Sequence, residues 1–247
     1  MQHFEIVVVS DLHLGARNSR AGEFLDFLSR VACDLLVVNG DLFECPRLGR
    51  RYRDEEAQLL RALRRRSEAG TLVWLRGNHD PLPEFAWSIL GLEPRDELVI
   101  DVGPLRYLVA HGDRWDKALD LPRLVIEGAD VIYRGAQILD RTHLLARMLK
   151  RRSKHFCRVV ERVQTSAVAA ARARKLDGVI LGHTHLVGDV QCGDVHYLNS
   201  GCWTEKPSTF VGIADGQARA CTFDTGLIGQ WIAADEFVPR PAMAAAV

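Results

Sequence analysis

Several absences narrow the class of this chain before any motif is considered. Its six cysteines (Cys33, Cys45, Cys157, Cys192, Cys202, Cys221) include no Cys-x-x-Cys pair. That removes the thiolate spacing of a structural zinc site, and a chain of 247 residues is long enough to build a core without disulfide staples. The thiols are therefore expected to be reduced and mostly packed, as in a cytosolic protein. Net charge is also lacking: 32 Lys and Arg balance 32 Asp and Glu, so the whole molecule advertises neither a nucleic-acid partner nor an acidic one. No stretch approaches the ~20 apolar residues that span a bilayer. The start, MQHFEIVVVSDLHLG, has no basic segment ahead of its short apolar run, so neither a signal peptide nor a transmembrane segment is expected.

What is present is ordinary in bulk, 47% apolar and 26% charged, and fits one large soluble α/β domain. Compact Val- and Leu-rich runs at 5–10, 34–40 and 72–77 have strand length. Between the first two, Phe24, Leu25, Phe27, Leu28 and Val31 recur at helical spacing; between the second and third, Ala57, Leu60 and Leu63 do so beside Arg64, Arg65 and Arg66. Strand-helix-strand alternation predicts parallel strands covered by helices. The runs 97–103 and 105–112, split by Gly-Pro, read as a hairpin, and 177–183, 194–199 and 209–215 supply further strands, the last two in an antiparallel style. Residues 114–175 differ: they hold no convincing strand and carry fifteen Lys/Arg against six Asp/Glu, so the neutral total hides a basic helical insertion. The expected organisation is a domain over 1–235, that insertion within it, and a loose tail over 236–247.

The same oddity marks strand end after strand end. VVVSDLH puts Asp11 and His13 just past a strand, and positions i and i+2 of an extended chain face one way. VVNGD ends on Asp41, LRGNHD on Asn78, His79 and Asp80, LVAHGD on His111, and VILGHTH on His183 and His185. Singly, each block has an ordinary explanation: Gly-Asp is usually a turn, Asn78 a left-handed turn residue, and one His a satisfied core imidazole. Jointly they share no structural cause. Ligands collect beyond the carboxyl ends of strands in open α/β sheets, and seven of these donors, Asp11, His13, Asp41, Asn78, His111, His183 and His185, point to metal.

Two carboxylates, one amide and four imidazoles are too nitrogen-rich for Mg²⁺ or Ca²⁺ and lack thiolate. Seven ligands suit two divalent ions if one carboxylate bridges, which predicts a dinuclear Mn²⁺, Fe or Zn²⁺ centre. Such a pair lowers the pKa of a water between the ions and clamps the attacking and leaving oxygens of an in-line displacement at phosphorus.

The series SDLH, GD, GNHD, H and GHTH, in that order and across nearly the whole chain, resembles the calcineurin-like metallophosphoesterases. That resemblance implies a four-layered αββα sandwich. It also implies Asp11, His13, Asp41 and His185 around one metal and Asp41, Asn78, His111 and His183 around the other. His79 would be the uncoordinated catalytic histidine, with Asp80 orienting it. SDLHLG, the Asp-Leu-Phe-Glu run at 41–44, HGDRWD at 111–116, the basic insertion and YLNSGCW at 197–203 are similar to the branch containing UDP-2,3-diacylglucosamine diphosphatase. Characterised members of that branch carry Arg where this chain has His79, which aligns it with their less defined relatives.

The implied activity is hydrolysis of a phosphate diester or pyrophosphate, with a lipid-linked nucleotide as leading substrate. Nucleotides and phosphoproteins are rival substrates, and a non-catalytic scaffold of the same fold is the rival class. Asn78, Lys150, Arg151, Arg152 and Lys154 are the expected substrate contacts. The insertion is read as a lid over acyl chains whose basic residues meet a diphosphate or an anionic membrane surface. One short insertion argues against a nucleic-acid substrate. The expected location is cytoplasmic, peripheral to the inner membrane.

Overall fold

A computed structural model describes residues 2–44, 52–80, 83–116, 154–224 and 227–231. The chain divides into two compact units, Met1–Gly112 with Val168–Val238 and Asp113–Ala167 with Pro239–Val247. In the first unit the alternation begins as the sequence predicts: β1 (Gln2–Val9), α1 (Ala21–Arg30), β2 (Val31–Asn39), α2 (Asp54–Glu68), β3 (Leu72–Leu75) and α3 (Pro83–Leu90). It continues with β4 (Glu97–Val102), β5 (Leu105–Ala110), α4 (Lys154–Ala173), β6 (Gly178–Leu181), β7 (Gly188–Cys192), β8 (Val195–Asn199), β9 (Ser208–Ala214), β10 (Gln217–Asp224) and β11 (Leu227–Trp231). Helix α4 runs across the boundary between the units.

Two mixed sheets result. The first has the order β11-β10-β9-β1-β2-β3 and the second β4-β5-β6-β8-β7. Strands β1, β2 and β3 are parallel, as are β5, β6 and β8, and β4 with β5 forms the expected hairpin. The continuous apolar runs are explained by burial of both strand faces. Val7 and Val9 of β1 join Phe24, Phe27, Leu59 and Leu63 in a core between sheet and helices. Val8 joins Val37, Val109, Ile180 and Leu198 in a second core between the sheets. Along α4, Val163, Ala167 and Ala171 are fully buried at a spacing of four, which places them on one helical stripe. In the second unit, the Arg114 guanidinium stacks 4.5 Å over the Trp115 ring.

Two expectations need correction. Val31 begins β2 instead of ending α1: its β-branched side chain fits an extended run better than a helix terminus. Strands β8 and β9 belong to different sheets, β8 parallel to β6 and β9 antiparallel to β1. Helix α3 and strands β7, β10 and β11 were not foreseen. The basic positions Lys150, Arg151 and Arg152 lie outside the described residues, as does the side chain of Lys154, the first residue of α4. Among the described residues no helix is long and apolar enough to cross a membrane.

Candidate metal centre

The parallel strands deliver their carboxyl ends to one place, and the backbone ladder continues past them. Asp11 N–H donates to Gly40 C=O, His13 N–H to Asp41 C=O and Leu14 N–H to Leu42 C=O, at 3.1, 2.9 and 2.8 Å. The loop after β1 is thereby laid along the loop after β2. In the second sheet Gly182 N–H donates to His111 C=O and Ser200 N–H to Leu181 C=O.

Convergence does not arise from extended alternation, as i, i+2 spacing alone suggests. Asp11, His13, Asp41, His183 and His185 all have left-handed backbones, with φ of 57°, 45°, 52°, 65° and 59°. Only Lys175 and Asp215 share that conformation among the other described non-glycine residues. Left-handed backbone costs an ordinary L-residue about 1–2 kcal/mol, so its concentration on the candidate ligands is a functional signature. Glycines make room beside them: a Cβ on Gly77 would stand 2.2 Å from Asp41 Oδ1, and one on Gly40 2.2 Å from His111 Nδ1.

The side chains form two overlapping groups, Asp11 with His13 and His185, and Asp11 with Asp41 and His111. His185 Nε2 lies 3.1 Å from Asp11 Oδ1 and 3.2 Å from His13 Nε2. Asp41 Oδ2 stands between His111 Nε2 at 3.3 Å and His13 Nε2 at 3.6 Å. Asp11 is fully buried, and its Oδ1 makes no bond of hydrogen-bonding geometry. An anionic oxygen left in that state is costly unless a cation takes its lone pairs.

The outer nitrogens set the inner ones. His13 Nδ1–H donates to Glu44 Oε2 at 2.9 Å and His111 Nδ1–H to the Asn39 carbonyl at 2.8 Å. Each Nε2 therefore presents a lone pair inward, the arrangement that orients metal-binding imidazoles. The His183 ring packs edge-on to His111 at 5.3 Å, and its backbone N–H donates to Asp11 Oδ2 at 3.0 Å. Asn78 is exposed on the loop that carries His79 and Asp80.

Electrostatics agree with a cation site. Burial opposes the charge on Asp11 and Asp41, yet the surrounding imidazoles outweigh it and hold both carboxyls below their usual range. Burial likewise opposes charge on His185, but Asp11 and Cys202 lift it to about 9.

Asp80, expected to orient His79, is itself held by a set of N–H donors. Its Oδ2 accepts from the N–H of Asp41 and Gly77 at 2.9 and 2.8 Å and from the Trp74 indole at 3.3 Å, and its Oδ1 accepts from Phe43 N–H at 3.0 Å. Burial and the Asp41 charge push its carboxyl up to about 7, against the pull of the N–H groups. It ties the His79 loop to the Asp41 loop. The group that faces the His79 ring is Glu44, with Oε2 3.7 Å from His79 Nδ1. Nothing in the Asp-Leu-Phe-Glu run marks Glu44 as functional; only the fold shows that it reaches two histidines.

The sequence profile of the calcineurin-like phosphoesterases matches residues 4–187. A UDP-2,3-diacylglucosamine hydrolase from Chromohalobacter salexigens is 39% identical over 115 residues, covering 43% of this chain and 46% of that protein. The aligned region thus spans less than half of that relative. Among solved structures, YfcE, a phosphoesterase from E. coli, superposes with a TM-score of 0.50 at 17% identity, covering 87% of this chain and 90% of that one, a likeness of fold. With the ordered motifs on the strand ends and the profile spanning most of its length, this chain belongs to the calcineurin-like phosphoesterases.

Proposed function

We propose that this chain is a two-metal hydrolase of phosphate diester or pyrophosphate bonds. The observation that carries the reading is the position of Asp41 Oδ2 between His13 Nε2 and His111 Nε2, beside the buried Asp11 oxygen that lacks a hydrogen bond. One carboxylate oxygen shared by two sets of inward lone pairs fits a bridging ligand. Asp11, His13, Asp41 and His185 would hold one divalent ion, and Asp41, Asn78, His111 and His183 the other; imidazole and carboxylate donors suit Mn²⁺, Fe or Zn²⁺. When bound, the pair supplies positive charge for the phosphoryl oxygens and lowers the pKa of water.

The chain's own groups do the rest. His79, about one-third exposed at its side chain, is open to substrate and hands a proton to the departing oxygen. Glu44 holds the His13 ring so that Nε2 faces the ions. Asp80 fixes the loop that carries Asn78 and His79.

The leading substrate is a lipid-linked nucleotide of the UDP-acylated-sugar type. The Chromohalobacter relative supports this through its name and its 39% identity. In this reading the 114–175 segment covers acyl chains, and Lys150, Arg151, Arg152 and Lys154 meet the diphosphate or an anionic membrane surface. Apolar residues at helical spacing in that sequence support the first assignment, and its excess of Lys and Arg supports the second.

One experiment tests the proposal: hydrolysis with Mn²⁺ of a UDP-diacylglucosamine, a cyclic nucleotide, a phosphopeptide and bis(p-nitrophenyl) phosphate, products identified by mass. It is run on the intact chain and on one with 120–150 replaced by a short Gly-Ser linker. The acylated substrate should be preferred by the intact chain, and the linker variant should lose that preference while keeping the small diester. Hydrolysis of none of the four removes the enzyme reading. Preference for the cyclic nucleotide or the phosphopeptide removes the lipid one.

A further inference from the structure

Beside the two groups of buried ligands, the centre holds a third cluster that shares His13 with them and adds two side chains, His79 and Glu44, that the two-ion reading does not use as ligands. Ring nitrogens of His13 and His79 and a carboxylate oxygen of Glu44 lie within 4.8 Å of one another. Glu44 Oε2 is 2.9 Å from His13 Nδ1 and 3.7 Å from His79 Nδ1, and the two rings meet edge to face at 4.9 Å. Ligands bound at about 2.0–2.2 Å around a tetrahedral Zn²⁺ stand roughly 3.3 Å apart. A shift of a few tenths of an ångström would therefore seat one ion between Glu44 and His79.

Access and chemistry both favour such an ion. The side chains of His79 and Glu44 are 33% and 22% exposed, so solvent reaches the cluster without opening the core. Imidazole with carboxylate suits a borderline-soft cation and is poorly matched to Mg²⁺, which prefers an all-oxygen octahedron.

We propose that His79 and Glu44, with His13 at their side, form an auxiliary inhibitory site for Zn²⁺ on the rim of the two-ion centre. The proposal rests on the reading of His79 as proton donor. Zn²⁺ on His79 Nδ1 pins the ring against Glu44, so that it is no longer free to turn toward the departing oxygen of the substrate. Engaging Glu44 also withdraws the acceptor that orients His13. Water completes the shell, and His13 joins it only by releasing the Nδ1 proton that it shares with Glu44. With two anchoring side chains, this site is weaker than the buried centre and fills only when zinc is in excess.

The test begins with wild-type protein loaded with two Zn²⁺ per chain and titrated with more Zn²⁺ or, in parallel, with Mg²⁺. Native mass spectrometry counts the ions while hydrolysis of bis(p-nitrophenyl) phosphate gives the rate. A third Zn²⁺ should bind as the rate falls at least about tenfold, and Mg²⁺ should do neither; in Glu44→Gln and His79→Asn the third ion should need at least about tenfold more zinc. The idea is overturned if wild type takes up no third ion, if a third ion leaves the rate unchanged, if Mg²⁺ inhibits equally, or if both variants bind it as wild type does. Should the variants misfold, the comparison of Zn²⁺ with Mg²⁺ on wild type still decides. A protein that holds two ions and hydrolyses nothing overturns the enzyme reading instead, and mass counting still judges the third site.

Discussion

At the scale of single residues, the centre separates groups that would hold ions from groups that would move protons. Asp41 is buried with its carboxylate between two imidazoles, whereas His79 stands partly exposed at the rim beside Glu44. Substituting them should therefore give different phenotypes. Asp41→Ala is expected to lose both bound Mn and diester hydrolysis. His79→Ala should retain metal and lose about 10²–10⁴ in rate, the usual share of a general acid. Metal content by atomic emission checks the pair: loss of metal in His79→Ala would make His79 a ligand, and undiminished turnover in Asp41→Ala would remove the two-metal mechanism. The candidate ligands stand out in the sequence because each sits at the end of an apolar run, where polar residues have no packing reason to recur. Glu44 gave no such signal, since its role depends on a ring 31 positions away, and the contacts of Asp80 depend on backbone N–H groups that no side-chain pattern reports.

At the scale of elements, the loop that carries Asp11 and His13 is held from outside the sheet by α2. Glu56, almost fully buried, accepts from Gly15 N–H at 2.8 Å and from Arg53 N–H at 2.7 Å, and Arg53 reaches on to the Ser19 carbonyl. This capping-box carboxylate therefore anchors both the helix start and the metal loop. Burial opposes its charge, but Arg53 and the Gly15 N–H outweigh that and hold its pKa below the usual 4.5. A depressed acid contributes stability that is complete above its unfolded value and fades as pH falls through its folded value. Glu56→Gln should thus cost about 2 kcal/mol at neutral pH, and the gap to wild type should close as pH falls below 4.5. Urea denaturation of metal-free protein over that pH range measures it; a gap that does not change with pH would show that shape, not charge, matters at this position. The first three strands and α1 and α2 were readable because each carries a strong apolar run or stripe. Strand β10 was not: its inward positions include Ala218 and Ala220, which pack closely but have no β-forming bias. Helix α3 is only eight residues long, too short for its periodicity to stand out from the loop before it.

At the scale of the whole molecule, the candidate metal centre would also serve as a folding device once ions fill it. Five candidate ligands sit in left-handed backbone, two carboxylates are buried side by side, and the loops that hold them come from both sheets. None of these features is favourable by itself. Ions that bind the folded chain and not the unfolded one would offset the cost, because such binding adds about 2.7 kcal/mol per site when the free ion is a hundredfold above its Kd. For a chain of this size each kcal/mol moves the melting temperature by roughly 2–4 °C. Stripping the ions with a chelator should then lower the melting temperature by about 5–10 °C per ion, and adding back Mn²⁺ or Zn²⁺ should restore it in proportion to log concentration. Asp41→Ala supplies the internal control. Having lost the shared ligand, it should melt at one temperature with and without chelator, even though it no longer buries two like charges. If the chelated wild type instead melts where the metal-loaded protein does, the strained loops are held by the hydrogen-bond ladder from Gly40, Asp41 and Leu42 alone, and the ions contribute to chemistry but not to the fold.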